Sequence, residues 1–503
     1  MDKLAALDHQ YIWHPFTQMR DWLKREPIVI VSGKGATLRD SRGRTYLDAN
    51  SSIWTNLHGH NHPQINRAIE GQLKKIAHSS ALGLANEPAS LLAPKLVEAA
   101  ERPLKGRKNP SKHRLSKVFF SDDGSTAMEV ALKLAYEFAR RTGLSKKPRF
   151  LSLAGAYHGD TIGAVSLGHI DLFHRAYSGL LFKTDEAPSP YCYRCRFNRA
   201  KPERADARAY RKCNWECLGQ LEQQFVKQKK KGNPYAAFVF EPLIQGAAGM
   251  IPQPEGWLRK ATEIARGNGA LLVADEVLTG FGRTGADEKA NGPESEKKLG
   301  PRSDAHSLTS SPAQPLARSP SLFACQRENV RSDLMALAKG MTGGYLPMAA
   351  TLTTEAIFKA FLGKHEEFKT FFHGHSYTGN QLGAAASLAN LEILSTAPSI
   401  KARNNLEKAL EQELQTLWNV PQIGDIRRVG LIAGIELVKN WRTREPFDLC
   451  EQAGIRVCQK MAQRGVLTRP IGNVIVLMPP YCTTKEQVRR IVTALREAIS
   501  DTL

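Results

Sequence analysis

Leu334-Met-Ala-Leu-Ala-Lys339-Gly-Met-Thr-Gly-Gly344 carries a short apolar run into a lysine and then into a glycine-rich turn. Asp333–Ala338 is too short for a helix of its own and reads as a buried strand. Lys339 stands where that strand ends, and Gly340, Gly343 and Gly344 let the backbone pass close to whatever the lysine touches. An amine in an apolar setting loses part of its preference for the charged form. A partly neutral amine can condense with an aldehyde. The plain alternative is a solvated charge at a strand end. The choice between them turns on what the rest of the chain brings to the same place.

Working outward, the chain from about residue 90 alternates helix and strand, the pattern of an α/β fold with a mostly parallel sheet and helices on both faces. Strands are expected at Lys117–Ser121, Arg149–Leu153, Ala237–Glu241, Ala270–Ala274 and Asp333–Ala338. Helices are expected at Gln64–Ile76, Leu91–Ala100 and Ser125–Arg141. Toward the end, helices Ile400–Leu417 and Lys485–Asp501 flank strands Leu431–Leu437 and Val474–Leu477, a smaller α+β unit. The N-terminal strands Ile28–Val31, Ala36–Asp40 and Thr45–Asp48 are expected to join it. The division is therefore residues 1–50 and 397–503 in the small domain and 51–396 in the large one. Two stretches, near 186–219 and 286–320, interrupt the alternation. Ala286–Pro320 is rich in Pro, Ser, Gly, Lys and Glu and reads as a surface insertion that cannot bury enough area to order itself.

The 503 residues suffice for two domains and a large core. No apolar stretch approaches a membrane span, and the first residues lack the apolar core of a secretory signal, so the cytoplasm is expected. The net charge of +21 raises the question of a polyanionic partner. Its basic residues, concentrated at Lys105–Arg114, Arg194–Lys212 and Lys227–Lys231, form no nucleic-acid-binding motif, and no such partner is expected. Eight cysteines are too few for a disulfide scaffold. Four of them, Cys192, Cys195, Cys213 and Cys217, are spaced as a tetrahedral zinc knuckle could be, the alternative being reduced surface thiols.

Four features follow predicted strands at their carboxyl ends, where open α/β sheets bind ligands. Gly124 and Ser125 open a helix after Lys117–Ser121, which suits an anion, although Ser125 could equally be a cap. Tyr157 in Gly155-Ala-Tyr-His-Gly-Asp160 offers an aromatic face to a planar ring. Asp275 closes Ala270–Ala274, where a carboxylate is costly unless it meets a cation such as a pyridinium nitrogen. Lys339 is the fourth. An anion anchor, a stacking aromatic, a pyridinium partner and an aldehyde-capturing amine are together what pyridoxal phosphate needs.

Asp275-Glu-Val-Leu-Thr-Gly-Phe-Gly-Arg-Thr-Gly285 followed by Ala338-Lys-Gly-Met-Thr-Gly-Gly344 resembles the class III pyridoxal-phosphate aminotransferases, of fold type I. Asp275 and Lys339 lie 64 positions apart (339 − 275). Without the 35 residues of Ala286–Pro320 the interval is 29, which is the family's kind of spacing. Trp13-His-Pro-Phe-Thr-Gln-Met19, Ser51-Ser-Ile-Trp54, His58-Gly-His-Asn-His-Pro63 and Met478-Pro-Pro-Tyr481 resemble the branch that aminates 8-amino-7-oxononanoate in biotin synthesis. The resemblance implies Lys339 as the cofactor-bound lysine and proton shuttle, Asp275 as the pyridinium partner and Tyr157 as the stacking ring. Gly124 and Ser125 would bind the phosphate. Ser376 and Gly374, in His373-Gly-His-Ser-Tyr-Thr-Gly-Asn380, would serve the neighbouring subunit of a homodimer whose active sites are shared across the interface. Trp54, Asp160 and Tyr481 match substrate-pocket positions, and Arg469 matches the arginine that receives the substrate carboxylate. The implied amino donor is S-adenosylmethionine. Phe16, where some members have tyrosine, leaves lysine open as an alternative, and so does another ω-amino substrate within the class.

Overall fold

The computed structural model describes residues 2–101, 113–285 and 321–503. The insertion expected at Ala286–Pro320 and most of the basic stretch Lys105–Arg114 lie outside the described residues. Seven strands form the central sheet: β1 (Leu115–Ser121), β2 (Arg149–Leu153), β3 (Asp185–Ala187), β4 (Tyr235–Phe240), β5 (Leu271–Asp275), β6 (Leu334–Leu337) and β7 (Ala349–Thr354). Their spatial order is β1-β7-β6-β5-β4-β2-β3. All run parallel except β7, which lies antiparallel between β1 and β6. The five strands expected from the sequence are present, with ends moved by no more than two residues.

The alternation of side chains along each strand explains why both faces carry helices. On one face Val239, Val273, Ala336 and Ala338 pack against Ala127, Val130, Ala131, Leu134 and Ala135 of helix Gly124–Arg141. On the other, Phe238, Phe240, Leu272 and Ala274 pack with Leu221 and Phe225 of helix Glu216–Lys230 and with Trp257, Leu258 and Ala261 of helix Trp257–Gly267. Each large side chain buried this way contributes about 1.5–3 kcal/mol. With both faces covered, strands such as β6, buried at every position, read as apolar runs without a polar face.

A second sheet joins Ile423–Val429, Ile432–Asn440 and Val474–Leu477, with helices Ala397–Gln415 and Lys485–Ser500 in the same core. The N-terminal strands Ile30–Lys34, Thr37–Asp40 and Thr45–Asp48 form a sheet that Val466–Leu467 completes by pairing parallel to Thr45–Asp48. Among the described residues, no helix is long and apolar enough to cross a membrane.

The four-cysteine segment departs from the zinc reading. All four are free thiols, and among the described residues no group of His, Cys, Asp or Glu side chains is arranged to hold a metal ion. Cys213 Sγ instead accepts from Arg211 Nη1 at 3.1 Å, and burial pushes the Cys192 thiol up to about 12. Arginines tie the segment down. Arg194 Nε donates to Glu436 at 2.7 Å, Arg204 Nη2 to the Val420 carbonyl at 2.9 Å, and Arg208 Nη2 to the Arg428 carbonyl at 2.7 Å. Part of what reads as a basic surface is thus a set of donors that anchor this segment to the rest of the fold.

Candidate active site

The carboxyl ends of β1, β2, β4, β5 and β6 open onto one cavity of about 470 Å³. Trp54, Gly124, Ser125, Tyr157, Asp275 and Lys339, all expected from the sequence, line it.

After β1, Asp123 caps the helix Gly124–Arg141. Its carboxylate accepts from Thr126 N at 2.8 Å, and the Thr126 hydroxyl oxygen accepts from Asp123 N at 3.0 Å. Ser125 is therefore free of capping duty, and its Oγ accepts from Asp160 N at 3.1 Å. A Cβ on Gly124 would stand 2.8 Å from Val277 Cγ1, so only glycine fits. A helix N-terminus opening into the cavity has the donors to seat an anion.

After β2, Tyr157 donates its hydroxyl to Asp160 Oδ2 at 2.6 Å. Burial first, then the neighbouring Asp160, raise the phenol well above its ordinary value and keep it neutral. His158, next in sequence, is buried, and its Nδ1 lies 2.7 Å from Asp275 Oδ2. Asp275 Oδ1 accepts from Val277 N at 3.0 Å. The aspartate at the end of β5 is thus fixed from two sides and faces the cavity.

After β6, Lys339 adopts φ +45°, a conformation that costs a non-glycine residue of order 1–3 kcal/mol and is typical of functional sites. Burial lowers its pKa, against the opposing pull of Asp275 and Glu241. Its Nζ stands 4.9 Å from the centre of the Trp54 ring. The following turn is held from behind, because Asn390 Nδ2 donates to the carbonyls of Gly340 and Met341 at 2.9 and 3.0 Å. Gly344, at φ +86°, passes so close to Asn56 that a Cβ would stand 2.6 Å from its backbone.

Three contributors escaped the sequence reading. His158 lay beside Tyr157 in the same quoted loop. Asn390 sits on helix Gln381–Ser395, which was not anticipated. Glu241 ends an apolar strand just as Asp275 does, the same signal that singled out the aspartate. It is 5% exposed, accepts from Gly246 N at 2.7 Å and Tyr157 N at 3.3 Å, and burial pushes it up to about 7.

Other expected residues lie outside the cavity. Gly374 and Ser376 are exposed on the loop after Phe372, where the Ser376 carbonyl meets His78 Nε2 at 2.8 Å. Arg469 is exposed, its Nη2 donating to the Phe16 carbonyl at 3.3 Å. Tyr481 is 3% exposed, with its hydroxyl donated to the Phe281 carbonyl at 2.9 Å.

The donor set suits a planar, phosphorylated pyridine bearing an aldehyde. It offers an anion seat at Gly124–Ser125, a buried carboxylate for the ring nitrogen, an aromatic ring at Tyr157 and a lysine of lowered basicity. The buried His158 Nε2 atom forms no hydrogen bond among the described residues.

Comparisons with known proteins agree. The family model described as "Aminotransferase class-III" matches residues 19–289 and 315–499. The adenosylmethionine-8-amino-7-oxononanoate aminotransferase of Geobacter sulfurreducens is 44% identical, over 99% of this chain and 97% of that protein. The crystal structure of the enzyme of that name from Methanocaldococcus jannaschii superposes with a TM-score of 0.82 at 37% identity, covering 99% of each chain. An omega transaminase from Pseudomonas jessenii, solved in complex with PMP, superposes with a TM-score of 0.82 at 25% identity, covering 100% of this chain and 98% of that one. The match of the family model over most of the chain, together with full-length similarity to such enzymes, leads to one assignment: the chain belongs to the class III aminotransferases.

Proposed function

We propose that the protein is a pyridoxal-phosphate transaminase that converts 8-amino-7-oxononanoate to 7,8-diaminononanoate, with S-adenosylmethionine as amino donor. The observation that carries the transaminase reading is the convergence of Lys339, Asp275 and the Gly124–Ser125 helix terminus on one cavity. The choice of substrate draws on the relatives' activity and on Arg469, a guanidinium fork suited to the carboxylate of the acceptor.

Pyridoxal phosphate, when bound, supplies an aldehyde for the amine and a ring that takes up the electron pair released on deprotonation. Gly124 and Ser125 hold its phosphate through backbone donors and the serine hydroxyl. Asp275, fixed by His158, keeps a positive ring nitrogen charged. Tyr157, braced by Asp160, presents its ring to the flat face. Lys339 Nζ accepts the proton from the donor carbon that bears the amino group. It later returns a proton to C7 of the acceptor, a transfer favoured by the lowering of its pKa by burial. Trp54 and Asp160 face the substrate, and Arg469 receives its carboxylate. The active unit is a cytoplasmic homodimer in which Ser376 completes the phosphate site of the partner and Gly374 lines the substrate pocket.

A half-reaction assay tests this. S-adenosylmethionine alone, added to the holoenzyme, is expected to change the absorbance of the bound cofactor, and 8-amino-7-oxononanoate is expected to reverse the change. If lysine drives the change and S-adenosylmethionine does not, the donor assignment fails. If 8-amino-7-oxononanoate reverses neither, the reaction fails with it.

A further inference from the structure

None of the residues in His58-Gly-His-Asn-His-Pro63 lines the cavity. The start of that motif instead grips the turn that follows Lys339. Leu57 N donates to the Gly343 carbonyl at 3.2 Å, and the ring of the buried His58 places Nε2 2.8 Å from Asn390 Oδ1. Asn390 is fully buried, and its Nδ2 donates to the carbonyls of Gly340 and Met341 at 2.9 and 3.0 Å. An amide nitrogen has two hydrogens, and both are used there, so the amide oxygen is what faces the imidazole. That oxygen only accepts, which puts the ring proton of His58 on Nε2. Burial pushes the His58 pKa down to about 3, so the ring remains a neutral donor. The Tyr481 ring stands edge-on to it at 5.9 Å between centres, and Tyr481 N donates to the Leu57 carbonyl at 2.7 Å. Residues 478–481 thus hold the motif, and the motif holds the lysine's turn.

Lys339 depends on such a hold. Its positive φ persists only where the surrounding structure over-determines it. Without the imidazole donor, Asn390 Oδ1 would be a buried acceptor with no partner, a costly state. The amide would relieve that cost by shifting, and its grip on the two carbonyls next to Lys339 would loosen. We infer that His58 is a positioning residue, which through Asn390 fixes the Gly340–Met341 turn and with it the placement of the Lys339 amine. The inference rests on the transaminase function proposed above and adds a residue that touches neither substrate nor cofactor.

The test compares full-chain holoenzymes by turnover of 8-amino-7-oxononanoate, by the visible circular dichroism of the bound cofactor per unit absorbance, and by melting temperature. His58→Leu keeps apolar bulk beside Tyr481 and removes the donor. It is expected to lower kcat about thirtyfold, within the roughly 100-fold that a 1 Å misplacement brings, with KM changed less than about twofold. The dichroism of the cofactor should weaken with it. His58→Gln, whose amide nitrogen donates in place of Nε2, should return kcat to within about threefold of wild type. Asn390→Ala should be at least as slow as His58→Leu, and the double variant no slower than Asn390→Ala, since both changes act through one hydrogen bond. Normal kcat and dichroism in His58→Leu, with only the melting temperature lowered, would overturn the inference and leave His58 a core residue. If His58→Leu does not fold, the same result in Asn390→Ala would overturn it. A His58→Gln variant as slow as His58→Leu would overturn it too, because ring packing and not the donor would then be at work. Multiplied losses in the double variant would overturn the route through Asn390. A wild-type protein without long-wavelength cofactor absorbance would instead overturn the proposed function, and the inference with it.

Discussion

The buried charges around Arg427 and those around Lys339 are satisfied to different degrees among the described residues. In the second sheet, Arg427 is 1% exposed and spends nearly every donor. Its Nε and Nη2 donate to the Gly249 carbonyl at 2.9 and 2.6 Å, and its Nη1 donates to Asp425 at 3.0 Å and to Glu436. Glu436 is shared in turn with Arg194. At the edge of the central sheet, Lys339 Nζ forms no hydrogen bond and no ion pair among the described residues and rests against the Trp54 ring. There, His158 Nε2 also lacks a partner. In the first cluster Arg427 meets two counter-charges and a carbonyl, as buried ions must, although Asp425 Oδ1 accepts no hydrogen bond among the described residues. The second is left short of partners, which is the condition for a bound group to supply them. A counter-charge at bonding distance, which Arg427 has and Lys339 lacks, distinguishes the two clusters more than burial does.

Emptying one member from each cluster breaks the comparison in opposite ways. Lys339→Ala removes the group that is short of partners. Turnover is expected to fall roughly 10⁴-fold, the range of a lost proton-transfer group, with little change in melting temperature. Loss of the cofactor's long-wavelength absorbance should accompany it. A variant with normal turnover and an unchanged spectrum would show that the lysine of this cavity is only a surface charge. Arg427→Met does the reverse. It strands Asp425 and Glu436 in the interior, and unfolding should become easier by about 3–5 kcal/mol. The folded fraction should keep wild-type KM. A shift in KM larger than the loss of folded protein would mean that the two clusters communicate.

The sequence made the cavity side of this contrast legible and left the other side almost silent. Lys339, Asp275, Tyr157 and Gly124–Ser125 each follow an apolar run, and a polar residue placed after such a run has few reasons to be there other than a site. Arg427 sits within Ile423–Val429, where Asp425 and Arg427 look like the solvent side of an alternating strand. Only the third dimension shows that Gly249 and Glu436 close over them. The elements missed have a related cause. Helix Gln381–Ser395 is buried on nearly every side, so it has no amphipathic period to betray it. Strand Ala349–Thr354 is buried throughout and shows no alternation. Tyr481, matched to a substrate position by its motif, lies in the interior because its hydroxyl finds the Phe281 carbonyl, a partner 200 residues away in the chain. Motif position identifies the neighbourhood of a residue, and packing decides which way it faces.

Glu241 lies between the two clusters and sharpens the contrast with the smallest effect. Its oxygens accept from the backbone of Gly246 and Tyr157, which is structural pairing, yet its charge faces Asp275, His158 and Lys339 of the cavity. Burial pushes its pKa up from 4.5 to about 7. The folded form therefore holds its proton more tightly than the unfolded form. Below pH 4.5 both forms are protonated and the shift costs nothing. Between pH 4.5 and about 7 the unfolded chain releases a proton that the folded chain keeps, so stability falls as pH rises. Above that window the full cost is present, at most about 3 kcal/mol. Glu241→Gln should remove this slope, giving a melting temperature that varies less with pH across the window than that of the wild type. The replaced amide also meets the Gly246 N–H, so the absolute melting temperature carries a separate penalty and only the slope is diagnostic. Parallel curves for the two proteins would mean that Glu241 stays ionised throughout, its burial offset by the partners around it.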